Sequence, residues 1–219
     1  MAYNLGTLRT RVQQKLDDTS FGVSKLNQFI NDAQRDILNS RRFTFMEREA
    51  VLTTSAGTDT LVGTPTDMQI PISMRITSPV SYASQLAYIE YEDFDTAMPN
   101  QDVNGNSVPS AWRVFNNTLL VYPNADATYQ ITLKYVKSPT ELVLDSDVPE
   151  IPESFGELLV LAAYKRALEH NDDYDQAQVI QQQVDIQTDN MDSRFKRQFG
   201  LPHILRTPNR TRRFGRWGR

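Results

Sequence analysis

The feature that most constrains the fold is the stretch Ile151 to Phe199, whose apolar residues recur at helical spacing on both sides of a polar interruption. Pro152 stands where a first helical turn accepts proline, because its missing N–H would have no intrahelical partner there. The first apolar set covers most of a helix circumference and predicts a central helix buried on more than one side. Its members are Phe155, Leu158, Leu159, Leu161, Ala162, Ala163, Tyr164, Ala167 and Leu168.

An acidic turn, Asn171 to Asp173, separates this helix from a second one that runs antiparallel to it. Short polar side chains favour caps over helix interiors, so the turn ends one helix and begins the next. Gly200 and Pro202 predict that the second helix continues to Phe199 and stops there. Its narrow apolar stripe is Ala177, Ile180, Val184, Met191, Phe195 and Phe199, and we expect the opposite face of Gln, Asp and Asn to meet water.

Two shorter helices are predicted near the N-terminus. Thr7 is the expected N-cap of the first, and Ser24 is the expected N-cap of the second, which ends near Arg41 and Arg42. Both are too short to be stable alone in water, so we expect them to pack on the C-terminal pair. Their stripes are Leu8, Val12 and Leu16, followed by Leu26, Phe29, Ile30, Ala33 and Ile37.

Between Met46 and Lys137 the apolar period changes from helical to alternating, which indicates strands. Short connections predict an antiparallel sheet, and the turn Pro123 to Asp126 predicts a hairpin between the two runs that flank it. Glu90 to Met98 is a candidate short helix, and Pro99 to Pro109 is a polar loop. The strand faces are Met46, Ala50 and Leu52; Ile70, Ile72, Met74 and Ile76; Leu119 and Val121; and Tyr129, Ile131, Leu133 and Tyr135.

The predicted fold class is therefore α+β, with four parts along the chain. N-terminal helices (residues 1–45) and the C-terminal helical pair (residues 138–200) form an antiparallel helical bundle. A small antiparallel β domain (residues 46–137) is inserted between them. Residues 201–219 form an extended basic tail with too few apolar side chains to build a core, which we expect to order only on a partner.

Charge is distributed unevenly along the 219 residues. The formal net charge is −4, but residues 194–219 hold nine basic and no acidic side chains, which leaves −13 on the rest. The sequence contains no cysteine and no apolar run of eighteen residues, and its first residues do not show a basic segment followed by an apolar run, so neither secretion nor membrane spanning is indicated. We expect a soluble intracellular product with an acidic body and a basic tail.

No catalytic, metal or cofactor site is predicted. His170 and His203 lie 33 residues apart and are interpreted as surface or capping residues. The clusters Asp17-Asp18, Asp145-Ser146-Asp147 and Asp172-Asp173 fall where turns or caps are expected, and none has EF-hand spacing. The common phosphate-binding, acyl-transfer and zinc motifs do not occur. A structural or binding protein is favoured over an enzyme.

The basic tail is the candidate binding segment. Its end, RRFGRWGR, places aromatic rings between arginines, which suits nucleic acid or an acidic protein groove; the plain alternative is a solvated terminus without a function. The candidate docking residues are Arg206, Arg210, Arg212, Arg213, Phe214, Arg216, Trp217 and Arg219.

The order of segments resembles the head-to-tail adaptor, or connector, proteins of tailed bacteriophages. The matching stretches span most of residues 5–177, whereas the tail and residues 80–110 carry little of the resemblance. They are LRTRVQQKLDD, SKLNQFINDAQRDIL, EREAVLTTSAGTDTL, NTLLVYPNADATYQITLKYVKSPTEL and DVPEIPESFGELLVLAAYKRALEHNDDYDQA.

The resemblance implies a structural virion protein of the phage neck, made in the host cytoplasm. A twelvefold ring of this chain would lie beneath the portal protein, extend the channel for packaged DNA, and receive the tail or a second connector protein. By position, the basic tail matches the extension that docks on the portal in related adaptors.

Two other functions remain open at this point. A nucleic-acid-binding accessory protein, such as a DNA packaging factor, would use the basic tail on DNA and bind with strong salt dependence. A hydrolase using body carboxylates would lose its activity with a single Asp or Glu change, but no motif supports it.

Overall fold

The computed structural model describes residues 3–17, 21–90, 105–116 and 118–196. These residues form four α-helices and a curled sheet of six strands, so the fold is mixed α+β as predicted. The helices are α1 (Leu5–Leu16), α2 (Val23–Ser40), α3 (Gly156–His170) and α4 (Tyr174–Phe195). The strands are β1 (Glu47–Thr53), β2 (Met68–Ser78), β3 (Gln85–Tyr88), β4 (Ala111–Phe115), β5 (Thr118–Tyr122) and β6 (Gln130–Lys137).

Both N-terminal helices begin earlier than their predicted caps. Asn4 caps α1: its side chain accepts from the Thr7 backbone N–H at 2.8 Å, and the Thr7 hydroxyl accepts from the Asn4 N–H at 2.9 Å. Thr7 is thus the third helical residue of a capping box, the partner of the cap. Gly22 precedes α2 in an extended conformation, so Ser24 lies inside the first turn. The predicted caps Thr7 and Ser24 are therefore wrong, because the polar pattern allows more than one start.

The central position of α3 is confirmed. Its residues Leu158, Leu159, Val160 and Ala163 are fully buried. The helix packs against α1, α2 and α4. At its start, Gly156 lies against the Tyr3 ring so closely that any side chain there would collide with it. All four helices therefore share one hydrophobic core, the helical core, which also takes in Phe43, Met46 and Val136.

The last helix, α4, ends four residues before the predicted stop. Asp173 caps its start by accepting from the Gln176 N–H at 3.3 Å, as the acidic turn predicted. At the other end, the backbone of Lys196 is no longer helical (φ −57°, ψ 135°), and Lys196 pairs with Phe43 in an antiparallel bridge. This long-range pairing ends the helix at Phe195, so the predicted extension to Phe199 is wrong. Phe199, Gly200 and Pro202 lie outside the described residues.

The strand order is β1-β6-β2-β3-β4-β5. The predicted hairpin is wrong, because β5 pairs with β4 while β6 lies between β1 and β2. The sheet is also not wholly antiparallel, since β3 and β4 run parallel. The turn after β5 explains the separation: Ala125 donates to the carbonyl of Thr58, and the Gly57 N–H donates to the carbonyl of Ala125. Those bonds hold the turn against another loop rather than folding β6 back onto β5.

The sheet curls until its two ends are linked by residues 60–62. Val62 pairs with Thr53 at the end of β1, and Thr60 pairs with Leu120 in β5. The curl encloses a second core, the sheet core. Its members include Leu52, Met74, Ile76, Trp112, Leu119, Ile131 and Leu133.

Strand β2 departs from the clean alternation expected of it. Met74 and Ile76 are buried as predicted, but Ile70 is exposed and Ile72 packs against the helical core. Irregularities in the pairing with β6 between Met68 and Ile70, and again between Pro71 and Ser73, shift the strand faces. A one-residue shift moves side chains to the other face, which accounts for the change.

The segment after β3 lies mostly outside the described residues. This includes nearly all of the candidate helix Glu90 to Met98 and the first part of the predicted polar loop up to Pro109. Within residues 105–109, Ser107 forms an isolated bridge with Ala125. Among the described helices, none combines the length and apolar character needed to cross a membrane.

Candidate docking surface

The predicted docking residues of the basic tail lie outside the described residues. They are Arg206, Arg210, Arg212, Arg213, Phe214, Arg216, Trp217 and Arg219, and His203 lies outside as well. The structure describes the chain up to Lys196, four residues before the tail begins. The site is therefore built from two surfaces of the described body: the anchor of the tail and an apolar loop.

Aromatic side chains anchor the residues that precede the tail. The ring of Phe45 stacks on Phe43 at 5.2 Å between centroids and meets the edge of Phe195 at 5.3 Å. Phe155 lies edge-on to Phe195 at 6.0 Å, and the Thr44 hydroxyl donates to the Phe195 carbonyl at 3.1 Å. We call these five residues the exit clamp. It fixes the end of α4 on the body.

The second surface is the loop of residues 139–149 between β6 and α3, here called the apolar loop. Val143, Leu144 and Val148 are 69%, 63% and 64% exposed, whereas Leu142, which precedes them, is buried. An exposed group of aliphatic side chains contributes little to the stability of the isolated chain, since burial is what stabilises them. A cluster of exposed aliphatic side chains is a candidate interaction surface.

Two buried amide side chains of α2 hold the start of this loop. Asn31 donates to the Leu142 carbonyl at 2.9 Å and accepts from the Leu142 N–H at 2.8 Å. Gln34 does the same across a longer span, donating to Thr140 O at 2.9 Å and accepting from Glu150 N at 3.2 Å. These bonds satisfy backbone groups that have no strand or helix partner. The loop is thereby fixed without any secondary structure of its own.

The far side of the loop is held by its own carboxylate and by α1. Asp147 Oδ2 accepts from the N–H groups of Val143 and Leu144 at 2.8 Å each, and these bonds hold the pKa of Asp147 below its usual value. Its carbonyl accepts from Leu5 at 2.9 Å, while Asp145 pairs with Arg9 at 2.9 Å. The turn interpretation of the Asp145-Ser146-Asp147 cluster is confirmed.

Two clefts are lined by residues of α2. One, of about 650 Å³, runs between α2 and the apolar loop and is lined by Val23, Asn27, Glu141 and Val143 among others. The other, of about 460 Å³, lies between α2, α3 and α4. Two ion pairs cross it: Arg166 contacts Asp36, and Arg41 contacts Asp189 at 3.3 Å. The second cleft is thus bridged by ion pairs, whereas the first opens beside exposed apolar side chains.

His170 contacts aromatic rings, and the aspartates of the two other acidic clusters that the structure describes lie at helix ends. His170 lies edge-on to the rings of Phe21 and Phe29, at 5.7 Å from each. Asp17 follows α1 with positive φ, and the Asp172-Asp173 pair forms the turn into α4. Within the described residues, no group of three or more His, Asp or Glu side chains is placed to hold a metal ion.

Sequence reasoning missed the apolar loop. The signal was present as the run Leu142 to Leu144 followed by two aspartates, outside any helical or alternating period. What could not be read from that run is which of its side chains is buried. The Asn31 side chain, 111 residues away in sequence, hydrogen-bonds the Leu142 backbone. This bond holds Leu142 on the buried side of the loop.

A protein-family model described as SU10 adaptor protein matches residues 3–212. This match covers every helix and strand described above and extends into the basic tail. No curated protein matches the chain.

Proposed function

The chain belongs to the SU10 adaptor protein family, whose members are bacteriophage structural proteins, and on this premise we propose that it forms a ring beneath the portal at the head-to-tail junction. The match over residues 3–212 is the observation that carries the proposal. In the virion neck this ring extends the channel for packaged DNA and receives the tail or a second connector protein. The ring has twelve subunits, by analogy with the resemblance described above.

The four parts of the chain have different tasks in this proposal. The helices of residues 1–45 and 138–200 form an antiparallel bundle, and residues 46–137 form the inserted β domain. Residues 201–219 dock on the portal. The exit clamp supports this division, because Phe45 and Phe195 tie the end of α4 to the segment that links α2 with β1.

Docking by the tail fits its composition. Arginine and aromatic side chains are the residue types most often found as anchors in protein interfaces. A segment that orders on binding loses affinity to conformational entropy, but the many tails of a ring bind together, so weak contacts yield a lasting assembly. The −13 charge of the rest of the chain also suits a channel through which DNA slides, since like charge discourages sticking.

The test compares the full chain with a version that ends at Lys196, for binding to isolated portal rings with competing DNA present. Lys196 is the right end point, because a shorter version would remove Phe195 from the exit clamp or the Lys196 bridge to Phe43. We expect the full chain to bind portal despite DNA and the truncated chain to lose that binding. Unchanged binding by the truncated chain would overturn the docking role of the tail.

A paired set of full-length variants separates protein docking from charge alone. Phe214→Ala with Trp217→Ala removes the aromatic anchors, whereas Arg213→Lys with Arg216→Lys keeps the charge. For portal docking we expect the aromatic pair to weaken binding more than the lysine pair does. Equal small losses would contradict aromatic anchoring.

The second candidate, a DNA packaging factor, is favoured by the nine basic and no acidic side chains of residues 194–219. Neutralising about nine phosphates on duplex DNA gives a log-log salt dependence with a slope near −8. A slope of that size, together with no binding to portal by the full chain, would replace the adaptor proposal with this one.

A further inference from the structure

The outer face of α4 carries two exposed apolar side chains that belong to neither core. The helix buries Ala177, Val184 and Met191, whereas Val179 and Ile186 are 57% and 63% exposed. At about 100° per residue the two lie away from the buried stripe, and their spacing of about two turns places one above the other. This face was expected to be wholly polar, so the sequence prediction is wrong at these two positions.

Three exposed aspartates flank this pair. Asp175 lies one turn before Val179, and Asp189 lies almost one turn after Ile186, so each is a neighbour on the helix surface. Asp185 directly precedes Ile186 and lies on the same side of it as Asp189. We call these five residues the α4 face. An apolar strip with negative charge along one side suits a partner that combines apolar rings with positive charge.

Two of these aspartates carry charge that no ion pair offsets in the described part of the chain. Asp189 pairs with Arg41 at 3.3 Å. Asp185 accepts from the Gln181 amide at 2.6 Å, and among the described residues neither Asp185 nor Asp175 forms an ion pair. A cation brought to the α4 face therefore gains their attraction without displacing an existing salt bridge.

The apolar loop is less suited to a cationic partner, although it also combines aliphatic and acidic residues. Asp145 already pairs with Arg9, and Asp147 accepts from two backbone N–H groups of the loop. The described contacts leave Glu141 as the one carboxylate of the loop that is not engaged in this way. Of the two exposed apolar surfaces, the α4 face therefore offers more negative charge to a partner.

The basic tail has the matching composition. Residues 194–219 contain nine basic and no acidic side chains, and Phe214 and Trp217 stand between arginines. Arginine forms charge-assisted hydrogen bonds to carboxylates, and an aromatic ring buries apolar area against aliphatic side chains. The tail thus offers a counterpart for both the aspartates and the apolar pair of the α4 face.

The tail is also attached close enough to reach this face. Lys196 follows α4 directly, so Ile186 and Val179 lie back along the helix axis by about 15 Å and about 26 Å. The 18 residues from Arg197 to Phe214 can span up to about 60 Å. The chain is therefore long enough to turn back after Lys196 and place Phe214 on either apolar side chain.

We propose that, in a free subunit, the basic tail binds the α4 face of its own chain. Phe214 and Trp217 pack on Val179 and Ile186, and the neighbouring arginines pair with the aspartates. Because tail and face belong to one chain, the contact forms at a high effective concentration, and weak interactions suffice to hold it. The portal then displaces the tail from this face. That last step rests on the proposed docking of the tail, whereas the contact itself does not.

Trp217 can report this contact, since Trp112, the other tryptophan of the chain, is buried. Acrylamide quenching is measured for the full chain and for its Trp217→Phe variant, and the difference gives the accessibility of Trp217. A peptide of residues 201–219 is the reference for a released tail. At low ionic strength we expect Trp217 to be less quenched than in the peptide, and about 1 M salt should remove most of that protection because it screens exposed charges.

Asp175→Asn with Asp185→Asn removes two charges from the α4 face of the full-length chain. Exposed ion pairs contribute little each, so the ratio of bound to released tail should fall on the order of fivefold. Glu49→Gln with Glu141→Gln removes the same charge at exposed positions elsewhere and should leave the ratio unchanged. If the portal displaces the tail, the aspartate variant should also bind isolated portal rings more tightly, by up to about fivefold.

Val179→Ser with Ile186→Ser tests the apolar part of the contact. We expect this variant to make Trp217 more accessible to acrylamide. Val143→Ser with Leu144→Ser changes a similarly exposed pair in the apolar loop and should leave Trp217 protected. Circular dichroism checks that each variant keeps its fold, which we expect because all four side chains are exposed.

The outcomes separate this contact from portal docking. Trp217 as accessible in the full chain as in the peptide would overturn the contact and leave portal docking standing. Release of the tail by Val143→Ser with Leu144→Ser, or protection that is lost on dilution, would place the tail on the apolar loop or on another copy and overturn the assignment. Release by the aspartate variant without tighter portal binding would overturn the displacement. A protected Trp217, together with portal binding that survives removal of the tail, would overturn the docking role and leave the contact standing.

Discussion

The helical core and the sheet core both consist of apolar side chains, but different features of the sequence specify them. The helical core joins Leu8 and Ile30, near the N-terminus, to Leu159 and Met191, near the C-terminus. Each of these residues lies on a stripe with helical spacing. The sheet core depends on which strand lies beside which, and spacing within one strand does not reveal that. The spacing of apolar residues therefore predicts the helical core, but it does not predict the strand pairing that forms the sheet core.

Strand β6 belongs to both halves. Ile131 and Leu133 point into the sheet core, whereas Val136 packs in the helical core. Lys137, the last residue of β6, pairs with Glu150. The Glu150 N–H also donates to the Gln34 side chain of α2. We expect the two cores to unfold together because β6 cannot leave one without disrupting the other.

The largest expected effects come from Leu159→Ala and Leu133→Ala, one in each core. Both leucines are fully buried, so each change should lower the free energy of unfolding by about 2–5 kcal/mol. Urea unfolding, followed by far-UV circular dichroism and by Trp112 fluorescence in a Trp217→Phe background, measures the free energy of unfolding of both variants. If the cores unfold together, the two probes give one coincident transition in each variant.

The matched control for these variants is Val80→Ala, because Val80 is highly exposed. It should change stability by less than about 0.5 kcal/mol. Separate transitions for the two probes in the Leu133→Ala variant would show that the two cores unfold independently. That result would contradict their coupling through β6.

The second-largest expected loss of stability concerns Asn31, which holds the apolar loop against α2. Asn31→Ala leaves the buried N–H and C=O of Leu142 without partners, which should cost about 2–4 kcal/mol. Hydrogen exchange at Leu142 should accelerate together with the global loss. Asn39→Ala is the control, since Asn39 is exposed and bonds only the Gln69 side chain in the described contacts. Equal losses in both variants would argue against a special role for Asn31.

A smaller effect is specific to the sheet half and appears at alkaline pH. The Tyr129 hydroxyl donates to Asp126 at 2.7 Å, and this bond together with burial raises the pKa of Tyr129 to about 12. A raised folded-state pKa gives stability that is complete below the unfolded value of about 10 and is lost as pH rises through 12. The loss should reach about 1.4 kcal/mol by pH 11.

Tyr129→Phe cannot titrate at this position, so it isolates the effect. The stability advantage of the unaltered chain over this variant should shrink by that amount between pH 9 and pH 11. Thermal or urea unfolding at the two pH values measures the difference. A constant advantage across this range would remove Tyr129 as the cause.

The smallest effect is confined to the apolar loop. The lowered pKa of Asp147 means that its stabilising bonds are present above the usual carboxyl pKa and are lost as pH falls through the lower folded value. The amide proton resonances of Val143 and Leu144 should therefore titrate together in acid. Asp147→Ala should abolish that titration without affecting the sheet half. Amide signals that titrate unchanged in the variant would assign them to another group.

The sequence by itself determined the four helices, the strands β1, β2, β5 and β6, the buried α3, the acidic turn before α4 and the resemblance to a phage adaptor family, whereas β3 and β4 were not predicted. These properties depend on residues three to four apart or on the order of segments along the chain, and both are visible in one dimension. The basic tail was equally visible as composition.

Only the tertiary structure decided where α4 ends, how the strands pair, and which side chains of the apolar loop face solvent. Phe43 ends α4 through its bridge to Lys196, and Thr58 holds the turn that separates β5 from β6. Asn31 buries Leu142 and leaves Val143 and Leu144 outside. Each decision is a hydrogen bond between residues far apart in the chain, so no local pattern could encode it.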